Sequence, residues 1–262
     1  MNETRGRNVQ PVASLPGYLG DLRAISTAGG GSALTSTYSQ VRIPEGVSFL
    51  FLTPRNYTGA VVVQVGLGPY LSVFKTVDDA VTFTDYSVEA QDGDAATDVT
   101  LSSLGTAAQG DYLYVGAPRP FRGIKVDVDA ANANASVLSG KYFNGDSWAD
   151  ASITDGTASG GATFAIDGDI TWTVHSGWKK TKINGREMYW MRFQASAALD
   201  STTTQNSFLP MCESTSYFEL QAGQTLEIAI DRGPNGYSTV EAKTDAGTAN
   251  LIINVASGGR EL

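Results

Sequence analysis

Gly123-Ile-Lys-Val-Asp-Val-Asp129 sets Ile124, Val126 and Val128 on one side of an extended chain and Lys125, Asp127 and Asp129 on the other. Alternate residues of a strand point to opposite faces, so this spacing predicts a strand with one buried and one wet face. Ile170-Thr-Trp-Thr-Val-His175 and Met188-Tyr-Trp-Met-Arg-Phe193 repeat the arrangement. Between such runs stand Asn144-Gly145, Asp167-Gly168 and Asn184-Gly185. Each is a dipeptide that tolerates the positive φ of a two-residue hairpin turn, so each predicts a hairpin. The expected fold class is all-β, built as a β-sandwich.

Outward from that block the pattern changes. Val47-Ser-Phe-Leu-Phe-Leu52, Ala60-Val-Val-Val-Gln-Val65 and Tyr70-Leu-Ser-Val-Phe74 are near-continuous apolar runs, as expected of strands covered on both faces. Val77 to Phe83 suits one helical turn or a further strand, and its Thr and Val favour the strand. Residues 84–111 read as loop, with one strand near Thr97 to Leu101. The late segments Ser216–Leu220, Leu226–Ile230, Thr239–Ala242 and Asn250–Val255 resemble the early ones in composition. Residues 41–110 plus 212–262 are therefore expected to form one β domain, with 111–211 inserted as a second sandwich; one continuous large sandwich is the competing arrangement. Residues 1–40 are polar and irregular, with Pro11, Pro16 and Gly29-Gly30-Gly31. Leu15, Tyr18, Leu19 and Leu22 punctuate this stretch, which suits an extended arm that orders on a neighbouring subunit better than a solvated tail.

Charge narrows the function classes. The net charge is −9, and the densest basic stretch is Lys179-Lys180-Thr-Lys182, too short for a phosphate-tracking footprint. Direct nucleic-acid binding and adhesion to an anionic membrane are not expected, and no segment has the length of an apolar membrane span. The single cysteine, Cys212, excludes an intrachain disulfide and a cysteine-based zinc cluster, and reads as a small buried hydrophobe. The opening Met1-Asn-Glu-Thr-Arg has no apolar signal-peptide core, so synthesis and folding in a cytoplasm is expected. Only 17% of residues are charged, a composition suited to surfaces that pack against other surfaces.

Candidate chemistry is sparse. His175 is the only histidine; strand parity places it on the wet face, and no nucleophile-elbow sequence accompanies it. The carboxylate pairs Asp127/Asp129 and Glu241/Asp245 fall at wet strand positions or turns. Asp92-Gly-Asp94 with Asp98, and Asp167-Gly-Asp169, offer oxygens to a hard cation but lack the ligand spacing of calcium loops. No catalytic residue, metal ligand or cofactor is assigned, and a non-enzymatic protein is expected. The aromatic residues carry more. Trp172 shares a face with Ile170 and Val174 and reads as core. Trp148, and Trp190 with Arg192, are candidate partner contacts or platforms for sugar rings.

One resemblance spans residues 111 to about 209. Tyr112-Leu-Tyr-Val-Gly116, Gly140-Lys-Tyr-Phe-Asn-Gly-Asp-Ser-Trp148, Thr154-Asp-Gly-Thr157, Asp169-Ile-Thr-Trp-Thr-Val174 and Tyr189-Trp-Met-Arg-Phe193 follow an order that resembles a β-sandwich module of tailed-bacteriophage virion proteins. The architecture is similar to the jelly roll of carbohydrate-binding modules. The resemblance implies a structural component of the virion with no enzyme site. The expected role is a head decoration (cement) protein contacting the major capsid protein and further copies of itself, as a trimer. A tail component that is structural or binds receptor glycan is the alternative.

Overall fold

The computed structural model describes residues 10–11, 33–43, 46–59, 62–77, 81–94, 96–102, 104–105, 110–213, 217–230 and 236–257. The chain divides into two compact units: Met1–Leu67 with Ser216–Leu262, and Gly68–Thr215. The first unit opens with β1 (Gln10–Pro11), β2 (Ser39–Arg42), β3 (Phe49–Thr58) and β4 (Val63–Pro69), whose last two residues pass into the second unit. The second unit runs through β5 (Ser72–Val77), β6 (Thr82–Asp85), the helical turn α1 (Glu89–Asp92), β7 (Val99–Thr100), β8 (Leu113–Ala117) and β9 (Gly123–Ala130). It continues through β10 (Leu138–Phe143), β11 (Trp148–Asp150), β12 (Thr154–Asp155), β13 (Gly168–Thr171), β14 (Lys180–Ile183), β15 (Arg186–Ala195) and β16 (Thr204–Met211). The first unit is completed by β17 (Phe218–Leu220), β18 (Leu226–Ala229), β19 (Tyr237–Thr244) and β20 (Thr248–Ser257). The fold is all-β and sandwich-like, as the alternation predicts.

In the first unit one sheet has the order β1-β20-β3-β18 and the other β17-β4-β19-β2. Leu50, Leu52, Leu251 and Ile253 from one meet Val63, Val65, Val240 and Ala242 from the other in a single core. Each such side chain contributes about 1.5–3 kcal/mol on leaving water, so this unit has its own source of stability. Val65 pairs directly with Phe218, so the chain leaves for the second unit and returns from it on neighbouring strands.

The second unit pairs a seven-stranded sheet, β11-β10-β15-β8-β5-β6 with β14 also on β15, with a five-stranded sheet, β12-β13-β9-β16-β7. Ile124 and Val126 are buried while Lys125 and Asp127 are exposed, as the alternation predicts. Leu113, Val115 and Phe193 of the larger sheet pack with Ile124, Val126, Ile170 and Phe208 of the smaller. Trp172 and Cys212 are buried, as expected.

Two expected boundaries move. Residues 68–110 belong to the second unit, because β5 pairs with β8 and β6, and β7 pairs with β16. The arm expected over 1–40 overlaps the first unit: Leu34 is 1% exposed and exchanges backbone hydrogen bonds with Ala249 at 2.6 and 3.3 Å. β2 then pairs with β19. The arm contacts Leu15, Tyr18, Leu19 and Leu22 lie outside the described residues.

The turn dipeptides divide by mechanism. Asn184 and Gly185, at φ 44° and 84°, make the two-residue turn expected between β14 and β15. Asn144-Gly145 instead opens a four-residue loop, since Phe143 pairs with Trp148; the Asn144 side-chain oxygen accepts from the Asp146 and Ser147 amides. Asp167-Gly168 makes no hairpin. Residues Thr163–Ile166 form no strand, and Gly168 begins β13 because a Cβ there would lie 2.2 Å from the Gly156 carbonyl oxygen. The loop expected around Gln91 contains α1, where the Gln91 side chain bonds both the amide and the carbonyl of Leu71.

Candidate functional site

The site lies on the face of the seven-stranded sheet that turns away from the main core. Residues paired across neighbouring strands point to the same face. Lys141 pairs with Arg192, Arg192 with Tyr114, Tyr114 with Phe74, and Phe74 with Asp85. With Asp150 opposite Lys141 on the edge strand, the row has a carboxylate at each end, two cations next to Asp150 and two aromatic rings before Asp85. Phe74, Tyr114, Met188 and Trp190 form a second, smaller apolar cluster on it, with half-buried Phe83, Tyr112, Trp148 and Ile183 packed against them.

Trp190 anchors this layer. It is fully buried, stacks on Phe74 at 5.3 Å and meets Tyr114 edge-on at 6.4 Å. Its indole Nε1 donates to the Thr181 carbonyl at 3.0 Å. The expectation that Trp190 is a partner contact is corrected: the β15 strand has an apolar layer on both faces, so Trp190 supports the surface without reaching it.

Trp148 and Arg192 do come together. Trp148 reaches back across β10 from the edge strand, contacting Phe143 and Tyr114 at ring separations of 5.8 Å. The Arg192 guanidinium carbon lies 4.6 Å from the centre of the Trp148 ring and 4.4 Å from that of Tyr112. Each such contact contributes about 0.5–1 kcal/mol at a partly exposed position, and fixing an arginine costs about 2 kcal/mol in rotamer freedom. The two ring contacts together offset most of that cost, so the guanidinium is held before any ligand arrives. Burial pushes the Tyr114 hydroxyl above its ordinary range, the Arg192 charge and hydrogen bond pull it back, and Tyr112 adds slightly to the rise. Tyr114 is therefore a neutral donor and acceptor at physiological pH.

A second arginine makes a contrast. Arg186 lies over the Phe74 ring at 4.9 Å, and it also donates to the Ser72 and Ser87 hydroxyls and to Asp85 Oδ2 at 2.7 Å. That cation is met by a carboxylate and two hydroxyls of its own chain. Tyr112, Tyr114 and Arg186 were not among the residues read from sequence as site members; the signal was Tyr112-x-Tyr114 sharing one strand face.

The other titratable candidates are structural. His175 follows the end of β13 at Thr171, so strand parity does not govern it; it is half-buried and stacked on Tyr142 at 4.3 Å. Lys75 is 8% exposed, and its Nζ donates to the Thr100 and Ser102 carbonyls at 2.9 and 2.7 Å. Burial pulls its pKa below 10.5, while Asp111 partly restores it. Asp92 and Asp94 accept backbone amides in their own turns. Among the described residues no group of three or more His, Cys, Asp or Glu is arranged to hold a metal ion, and no helix is long and apolar enough to cross a membrane.

No protein-family model matches the sequence, and comparison with curated proteins and with solved structures likewise finds no match.

Proposed function

We propose that the protein is a structural subunit of a tailed-bacteriophage virion, acting as a head decoration (cement) protein through non-covalent contact with neighbouring capsid subunits and with further copies of itself. The observation that carries this reading is the ordered resemblance over residues 111–209, which coincides with most of the second unit. The outer face of that unit supports it: Tyr112, Trp148 and Arg192 are half-buried, held in place, and set on a sheet. A contact of ordinary size buries about 1,600 Å², and repetition over many copies multiplies a modest contact into particle stability. In this reading no bond is made or broken and no cofactor is used.

A tail-associated, glycan-binding role is the second reading, favoured by the flat guanidinium flanked by Trp148 and Tyr112. Copy number separates the two. Quantitative mass spectrometry of purified particles giving hundreds of copies supports the head; a few tens or fewer supports the tail; absence of the chain refutes both.

A further inference from the structure

We infer that Arg192, flanked by Tyr112 and Trp148 and with Lys141 beside it, forms a subsite for a carboxylate-bearing sugar residue of a surface polysaccharide. The inference rests on the glycan-binding reading above and narrows it to acidic glycans.

Three observations carry it. Lys141 and Arg192 stand directly opposite one another on adjacent strands, a like-charge pairing that costs stability unless an anion is received. Asp150 pairs with Lys141 on the edge strand and accepts the Ser152 amide through one oxygen; it is two strands away from Arg192. Among the described residues no carboxylate pairs with Arg192, whereas Arg186, an arginine over a ring on the same sheet, is met by Asp85 at 2.7 Å. The chain thus neutralises one ring-stacked arginine and leaves the other to an external anion. A guanidinium presents a planar fork of donors that matches a carboxylate.

The rings select the carrier of that carboxylate. Trp148 and Tyr112 are half-buried, leaving ring area beside the fork where the C–H face of a sugar can lie. Fork and ring together fit one uronic or sialic acid residue: carboxylate on Arg192 and Lys141, pyranose ring along the aromatic edge. Charge complementarity favours this occupant over a neutral sugar, which brings no anion to the Arg192 fork. The ring area favours it over a bare carboxylate.

The test titrates the full-length protein, followed by tryptophan fluorescence and calorimetry, with trigalacturonate, an α2,8-linked sialic acid trimer, maltotriose and a hexaglutamate peptide. At least one acidic trisaccharide is expected to bind with a Kd below about 10 mM, to weaken with added salt, and to bind more tightly than maltotriose and hexaglutamate. Arg192→Gln should weaken it at least about tenfold and Lys141→Gln less. Arg192→Lys, which keeps the charge without the fork, should fall between wild type and Arg192→Gln and guards against loss through misfolding. Equal binding of maltotriose and the acidic sugars, unchanged by Arg192→Gln, overturns the acidic subsite while leaving glycan binding standing. Tighter binding of hexaglutamate overturns the sugar assignment in favour of an acidic protein segment. No binding by any probe overturns both the subsite and the glycan-binding reading.

Discussion

The indole of Trp190 lies flat against Gly116 on the neighbouring strand, so closely that a Cβ on Gly116 would come within 2.3 Å of the ring. Trp190 is in turn the floor on which Phe74 and Tyr114 pack. Overpacking a filled core costs about 1–3 kcal/mol, and here the indole has no free space to retreat into. Gly116→Ala is expected to lower the urea midpoint by an amount in that range and to loosen the Tyr112–Arg192–Trp148 group above it. Equilibrium unfolding with near-ultraviolet circular dichroism checks both effects; an unchanged midpoint contradicts the packing described.

Two other glycines separate conformation from crowding. Gly185 is needed for its φ of 84° in an open turn where a Cβ would meet nothing, so Gly185→Ala should cost about 1–2 kcal/mol. Gly168→Ala should cost more, because its Cβ meets backbone atoms of Gly156 and Thr157 that no rotamer change can move. Thermal unfolding of the two variants gives the order directly, and the reverse order contradicts this account.

Lys75 makes stability depend on pH in a defined sense. Burial lowers its folded pKa beneath the unfolded value of 10.5, so between the two the unfolded chain binds more protons and stability rises with pH. Below the folded pKa the buried charge is a standing cost. The unfolding free energy of wild type minus that of Lys75→Gln should therefore increase as the pH rises towards 10.5. A difference that is flat or shrinks over that range counts against a buried, charged Lys75.

The disjoint cores imply separable units. Since Val65 and Phe218 are strand partners, replacing residues 68–215 with a short Gly/Ser linker should close the first unit without straining it. The shortened chain is expected to unfold cooperatively with a β-type circular-dichroism spectrum. A disordered product would mean that the first unit depends on the second.

What the sequence made legible was local. Ile124, Val126 and Val128 alternate with charged residues, so the strand and its buried face followed from spacing. Asn184-Gly185 specified its turn because the dipeptide and the two positive φ values are the whole mechanism. Asp167-Gly168 departs from that turn because the same dipeptide answers a different need: Gly168 lets β13 approach Gly156, twelve positions earlier in the sequence. The pairing of β5 with β8 joins segments separated by β6, a helical turn and β7, which no local pattern encodes, and so the second unit's boundary moved. The site was half legible. Trp148 and Arg192 stood out as bulky groups on strands, but their meeting with Tyr112 depends on the order β11-β10-β15-β8. Trp190 was ambiguous because apolar residues occupy both faces of β15.

The central claim is that this chain is a repeated, non-covalently held part of a virion. Its most direct test is a cryo-electron microscopy reconstruction of virus particles purified from cells that make this chain, with the chain traced in the density. The account predicts copies at symmetry-related positions on the particle, docked through surface side chains without covalent links. Particles that are complete and infectious without this chain would contradict it.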